Sequence, residues 1–226
     1  VGQSYLDLAN SYVAGTHTPP MHLCYHGAEL SRFSTHSATT RCSNTPLKAV
    51  YLGAMGSGYD LQTILELAAR WRAEKRFPFQ LHFAGSGPKE PQLIKRSKSL
   101  ISEGRVVFHG QIGRDAVDQL LATANLALVP NRPGSLVACP YKAGEYAASG
   151  LPILSCLGGE LGELLKHWNA GSGYKQGDVE SLHNAFENYL LNPDLSKQQS
   201  LNARKMSEAL FDRQICYPRL AEFILT

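Results

Sequence analysis

The chain has 226 residues, 43% of them apolar and 18% charged, a balance that excludes a disordered tail and fits a folded globular chain. Its formal charge of +3 comes from scattered Lys and Arg residues, which argues against a nucleic-acid partner, and no run of 18 apolar residues reads as a membrane span. The five cysteines are odd in number and show no Cys-x-x-Cys spacing, which argues against a disulfide framework or a zinc site and points to a reducing, cytoplasmic compartment.

The chain opens on Val1-Gly2-Gln3-Ser4, which has neither an initiator Met nor signal-peptide character. Ser4 is placed to cap a short helix running to Ser11. His22, His26 and His36 fit no standard metal-ligand spacing. Residues 31–46, rich in Ser, Thr and His, read as a loop or linker. From Leu47 onward short apolar runs alternate with helical patterns, so the predicted fold class is α/β, a Rossmann-like parallel sheet flanked by helices. Strands are predicted at 48–52, 79–83, 106–108, 126–129 and 153–156, with a short sixth at Gly173-Tyr174. Leu61, Ile64, Leu65 and Ala68 share one face of a helix. Further helices are predicted at 88–103, 114–123, 159–168, 179–191 and 195–225. The last is capped by Asp194, and Pro218 bends or breaks it near Cys216 or Tyr217.

A parallel sheet binds ligands beyond the carboxyl ends of its strands. The loops there are 53–59, 85–89, 109–113, 131–139 and 157–159, and most are rich in glycine. Any single one of these glycines merely turns the chain. Five such loops on one edge read as a cleft, with Gly53, Gly56, Gly58, Gly85, Gly110 and Ile112 as binding candidates. Gly85-Ser86-Gly87 invites a dinucleotide reading. However, Glu90 holds the third glycine position, Pro88 sits inside the loop, and the loop follows the second strand, so the dehydrogenase reading is weak.

The most specific stretch runs from Pro140 to Leu154, Pro-Tyr-Lys-Ala-Gly-Glu-Tyr-Ala-Ala-Ser-Gly-Leu-Pro-Ile-Leu. Pro140 suits the first position of a helix. The free N–H groups and positive dipole end of that first turn suit a phosphate. Lys142 adds a cation, and Glu145, one turn on, can accept from sugar hydroxyls. Gly150 ends the helix.

This stretch resembles the Pro-x-Lys-x-x-Glu-Tyr-x-Ala-x-Gly-x-Pro-Ile signature of the family 4 (GT-B) glycosyltransferases. The likeness extends from about Leu47 to the C-terminus through Tyr51-Leu52-Gly53, Phe83-Ala84-Gly85-Ser86-Gly87-Pro88, Val107-Phe108-His109-Gly110, Ala124-Asn125-Leu126-Ala127-Leu128-Val129-Pro130 and Gly158-Gly159-Glu160-Leu161. The resemblance implies a donor domain that binds a UDP- or GDP-sugar, with Glu145 on the ribose hydroxyls and Lys142 near the phosphates. It implies no cofactor and no metal. It divides the chain into residues 1–46, the end of an N-terminal domain with its linker, residues 47–200, the donor-binding domain, and residues 201–226, a helix returning to the N-terminal domain. Leu220, Phe223, Ile224 and Leu225 would be that helix's apolar face. The acceptor half would then lie on an N-terminal domain outside this chain, and this part alone would be inactive. The implied process is polysaccharide or glycolipid synthesis in the cytoplasm, with the full-length protein at the inner face of the membrane.

Two features depart from the family pattern. Many retaining members carry a second Glu where Val137 stands. Many also carry cations after the first-strand glycine, where this chain has Ala54-Met55-Gly56-Ser57-Gly58. Phosphate binding then rests on backbone N–H groups and Lys142, with Arg132 as a second candidate. Two other readings stay open: a nucleotide-binding module without transferase activity, and a sugar-nucleotide epimerase of the same architecture.

Overall fold

The structure is a computed structural model, and it describes residues 2–13, 20–33, 46–132, 135 and 137–225. His36, Cys42 and most of the predicted 31–46 loop lie outside the described residues. Six parallel strands form one sheet: β1 (Leu47–Leu52), β2 (Phe79–Ala84), β3 (Val106–Gly110), β4 (Leu126–Val129), β5 (Ile153–Ser155) and β6 (Gly171–Gly173). Their order is β3-β2-β1-β4-β5-β6. The order reverses direction between β1 and β4, which creates a crevice at the carboxyl ends of those strands. The helices are α1 (Gln3–Tyr12), α2 (Leu61–Ala73), α3 (Glu90–Arg96), α4 (Lys98–Ser102), α5 (Arg114–Thr123), α6 (Tyr141–Ala148), α7 (Gly159–Trp168), α8 (Val179–Leu191), α9 (Pro193–Leu210) and α10 (Arg213–Leu225).

The sheet is covered on both faces, as a parallel sheet requires. Successive strand residues point to opposite faces. Tyr51, Leu81, Phe83 and Leu128 therefore join Ile64, Trp71, Leu182 and Phe186 of α2 and α8. Val50, Ala127, Val129 and Ile153 join Leu121, Tyr146, Leu161 and Met206 of α5, α6, α7 and α9. Trp71 sits edge-on to Phe186 with ring centroids 5.3 Å apart, and Phe186 packs at 4.6 Å on Phe79.

Several predicted boundaries are corrected. The helix expected over 88–103 is two helices that part at Ser97, whose Oγ donates back to the Leu93 carbonyl at 2.6 Å and whose N–H is shared between the Leu93 and Ile94 carbonyls, a local bend in the ladder. Pro140 is the cap rather than the first residue of α6: its φ of −62° suits a helix, but its ψ of 134° is extended. The final helix does not run unbroken to Pro218. It stops at Phe211, where Ala28 of the linker donates to the Phe211 carbonyl at 2.6 Å and accepts from Arg213 N at 3.2 Å. Pro218 lies inside α10. The cap of α9 is Asn192, with Pro193 next, and Asp194 falls in its first turn. Strand β6 precedes Tyr174, because Asn169 closes α7 in the left-handed conformation and the chain enters the sheet at Gly171. Gly2, not Ser4, caps α1. Ile224 and Leu225 of α10 are 70% and 86% exposed. No helix among the described residues is long and apolar enough to cross a membrane.

Candidate functional site

The site begins at two strand ends. Gly53 leaves β1 with φ 135°, and Gly85 leaves β2 with φ 126°, a region that L side chains rarely adopt. Gly53 N donates to the Ala84 carbonyl at 2.9 Å, and Gly85 N donates to the Gly110 carbonyl at 2.7 Å. A Cβ on Gly85 would stand 2.1 Å from the Gly53 carbonyl oxygen. The two loops can approach each other only because no side chain stands between them.

Helix α6 supplies the charged groups. Its position is fixed by Tyr146, whose hydroxyl accepts from Leu52 N of β1 at 2.7 Å. Lys142, in the first turn, is only 6% exposed, and its Nζ has no hydrogen-bond partner among the described residues. The ammonium lies 4.4 Å from the Tyr51 ring centre and 4.5 Å from that of Tyr59. These aromatic faces attract a cation but accept no conventional hydrogen bond. Burial lowers the Lys142 pKa from 10.5 to about 7. Glu145, one turn later, accepts from Arg32 Nη1 at 3.4 Å. Arg32 also forks onto Asp118 of α5, with Nε 3.1 Å from Oδ2 and Nη2 on Oδ1. Burial opposes the Arg32 charge, but the bonds to Asp118 and Glu145 outweigh it and hold its pKa above the ordinary range.

Two cavities meet at Tyr141. One, of about 430 Å³, is walled by Arg32, Gly53, Gly85, Ile112 and Glu145. The other, of about 380 Å³, is walled by Tyr25, His26, Tyr59, Asn131, Val137 and Lys142. Gly53 lies at the junction, where a Cβ would come 2.8 Å from Lys142 Nζ. The structure thus brings together Gly53, Gly85, Ile112, Lys142 and Glu145. Gly56, Gly58 and Gly110 line neither cavity. Gly110 contributes its carbonyl to the Gly85 turn, while Gly56 and Gly58 have open space where a side chain would go. Arg132 lines neither cavity, and its backbone N–H donates to the Gly58 carbonyl at 2.9 Å. Val137, at the position where many retaining members carry a second Glu, is 38% exposed.

Sequence reasoning missed the wall residues Tyr25, His26 and Tyr59, and also Arg32 and Asn131. Arg32 reaches the site from the linker, and nothing near it in sequence announces its partners. Asn131 is 3% exposed, and its Oδ1 also has no hydrogen-bond partner among the described residues. Its place just past Pro130, at the carboxyl end of β4, was the available signal. Buried polar atoms are normally paired, so an unpaired ammonium and an unpaired carbonyl oxygen in one cavity point to a polar ligand. The cation and the free N–H groups at the start of α6 suit an anion. The Glu145 carboxylate suits hydroxyl donors, and the aromatic walls suit an apolar ring face. The arrangement can therefore hold an anion at Lys142 and accept hydroxyl donors at Glu145 in the adjoining cavity.

The fold matches solved glycosyltransferase structures at low identity. HepE of Anabaena, solved in complex with UDP and glucose, aligns with a TM-score of 0.73 at 16% identity, covering 91% of this chain and 56% of its own. Sucrose-phosphate synthase from Thermosynechococcus elongatus aligns with a TM-score of 0.70 at 22% identity, covering 96% and 55%. A mutant of TarM of S. aureus, solved with fondaparinux, alpha-GlcNAc-glycerol and UDP, gives 0.73 at 12% identity, covering 96% and 41%. The chain thus spans about half the length of these structures or less. No curated protein matches it in sequence. The sequence profile of the glycosyl transferases group 1 covers residues 34–206, well over half of the chain, and the chain belongs to that family.

Proposed function

We propose that this chain is the donor-binding part of a glycosyltransferase that moves a sugar from a UDP- or GDP-sugar to an acceptor in polysaccharide or glycolipid synthesis. The observation that carries the reading is the Lys142 ammonium, buried without a hydrogen-bond partner among the described residues, in the wall of one cavity and beside Gly53 of the other. A diphosphate between those cavities satisfies it. The nucleoside then fills the cavity beside Gly53, Gly85 and Ile112, with Glu145 accepting from the ribose hydroxyls. The sugar fills the aromatic cavity, where Asn131 Oδ1 can accept from a hydroxyl or amide N–H. That HepE was solved with UDP and glucose on a similar fold supports this arrangement.

On this reading catalysis is positioning together with stabilisation of the leaving group. As the bond from the sugar's anomeric carbon to the diphosphate oxygen breaks, negative charge grows on that oxygen. Protonated Lys142 and the first N–H groups of α6 offset it. No cofactor and no metal enter this reading. The acceptor and any general base belong to an N-terminal domain, with residues 1–46 as the end of that domain and the linker, 47–200 as the donor domain and 201–226 as the returning helix. This part alone is then inactive. The full protein acts in the cytoplasm, at the inner face of a membrane.

Calorimetry with UDP and GDP, with and without chelator, tests the reading. Binding of at least one nucleotide, unchanged by chelator, is expected; no binding of either removes the reading. The exposed Val137 and the cation-free turn after Gly53 favour a second reading, a nucleotide-binding module without transferase activity. Transfer by the full-length protein separates the two, and product analysis with nucleotide sugar alone reveals an epimerase.

A further inference from the structure

The guanidinium of Arg32 bridges two carboxylates on different helices at the wall of the larger cavity. We propose that Arg32 is the positioning residue for ribose recognition: it holds the Glu145 carboxylate in the orientation that accepts the sugar hydroxyls of the nucleotide. The inference rests on the reading of Glu145 given above and extends it to a residue of the linker.

The geometry separates positioning from direct contact. Arg32 sits in a one-turn 3₁₀ helix, Leu30–Arg32, whose neighbours Leu30 and Phe33 are both buried, so its backbone is fixed on both sides. Its side chain is 12% exposed and lies against the Phe33 ring at 5.1 Å. The fork toward Asp118 uses Nε and Nη2, and Nη1 turns to Glu145 Oε1. A guanidinium offers five N–H donors in a rigid plane, so fixing two of its nitrogens on Asp118 fixes where the third points. The trio carries one positive and two negative charges. Arg32 is therefore already neutralised, and its environment does not attract a phosphate.

Glu145 keeps what recognition needs. A carboxylate has about four lone-pair sites, and Arg32 takes one of them on Oε1. Among the described residues Oε2 accepts no hydrogen bond. Two vicinal hydroxyls can be accommodated without displacing Arg32. Without Arg32, Glu145 and Asp118 face each other across the cavity wall as like charges, and the Glu145 side chain loses its only fixed contact among the described residues.

The test compares UDP with 2′-deoxyuridine diphosphate by calorimetry on the wild-type chain and on Arg32→Ala, Arg32→Gln and Glu145→Gln. The wild type is expected to prefer the ribose form by about tenfold, the size of one hydrogen bond to a charged group. Arg32→Ala is expected to cut that preference to about threefold or less, weakening UDP by about tenfold and the deoxy form, which keeps its 3′ hydroxyl, by at most about threefold. A merely structural role would weaken both ligands together and keep the ratio. Arg32→Gln carries the same expectation should the alanine variant melt before binding can be read. Loss of the preference in Glu145→Gln with its retention in both Arg32 variants overturns this inference alone. A wild type without preference, or a Glu145→Gln that keeps it, overturns the reading of Glu145 and this inference with it.

Discussion

A lysine ammonium lodged among tyrosine rings, with no carboxylate paired to it among the described residues, costs the fold stability. Because the folded pKa of Lys142 is depressed to about 7, below the value in the unfolded chain, stability rises with pH between about 7 and 10. Below pH 7 the charge is buried at full cost. Lys142→Met should therefore raise the melting temperature at pH 6, by roughly 2–4 °C for each kcal/mol of penalty removed. The same variant should weaken UDP binding by about 1.5–3 kcal/mol, the loss of a charge-assisted contact. Protonated lysine is the binding form, so wild-type affinity should fall above pH 7 by up to about tenfold per pH unit. Calorimetry between pH 7 and 9, where the diphosphate is fully ionised, reads that slope; a flat profile removes Lys142 from the phosphate. For Glu145→Gln we expect UDP affinity to drop by about 1.5–3 kcal/mol with little change in melting, because glutamine keeps an acceptor for Arg32. Lys142 and Glu145 were legible in the sequence because both lie on one helical turn that starts at a proline. Arg32 was not, since its partners Asp118 and Glu145 are 86 and 113 residues away.

At the scale of elements, the crevice depends on two strand exits that touch backbone to backbone. Gly85→Ala should cost at least about 2 kcal/mol, since it combines a strained φ with a clash against the Gly53 carbonyl. Gly56→Ala, with open space and no positive φ, should change stability by less than about 0.5 kcal/mol. Chemical denaturation of the two variants checks both; similar losses would show that glycine is required for some reason other than this close approach. The first five strands were readable because each is a short, largely apolar run bounded by turn residues; β6, Gly171-Ser172-Gly173, carries no such run and was placed two residues late. The breaks at Ser97 and Phe211 were not. The first depends on a hydroxyl turning back onto its own helix, and the second on a linker residue arriving from a distant part of the chain.

Over the whole molecule, the two cavities open on one edge of a sheet whose core lies below them, so a ligand there stabilises the fold without reorganising it. UDP at a hundred times its dissociation constant should add about 2.7 kcal/mol, a rise in melting temperature of about 5–10 °C. Thermal melts with UDP, GDP and no nucleotide measure it. If neither nucleotide raises the melting temperature, the cleft serves another ligand.

The linker also governs the order in which the chain can assemble. Tyr25 donates to Glu160 at 2.5 Å, Gly27 N to the Tyr217 hydroxyl at 3.1 Å, and Ala28 spans Phe211 and Arg213. On a ribosome the sheet has all its strands once Gly173 has emerged, yet the two backbone hydrogen bonds of Ala28 wait for Phe211 and Arg213. Such long-range contacts form slowly. A nascent chain stalled before α10 would therefore display a finished sheet in which Tyr25 and Arg32 already have their partners Glu160, Asp118 and Glu145, while the Gly27-Ala28 stretch between them is not yet tied to Arg213 and Tyr217.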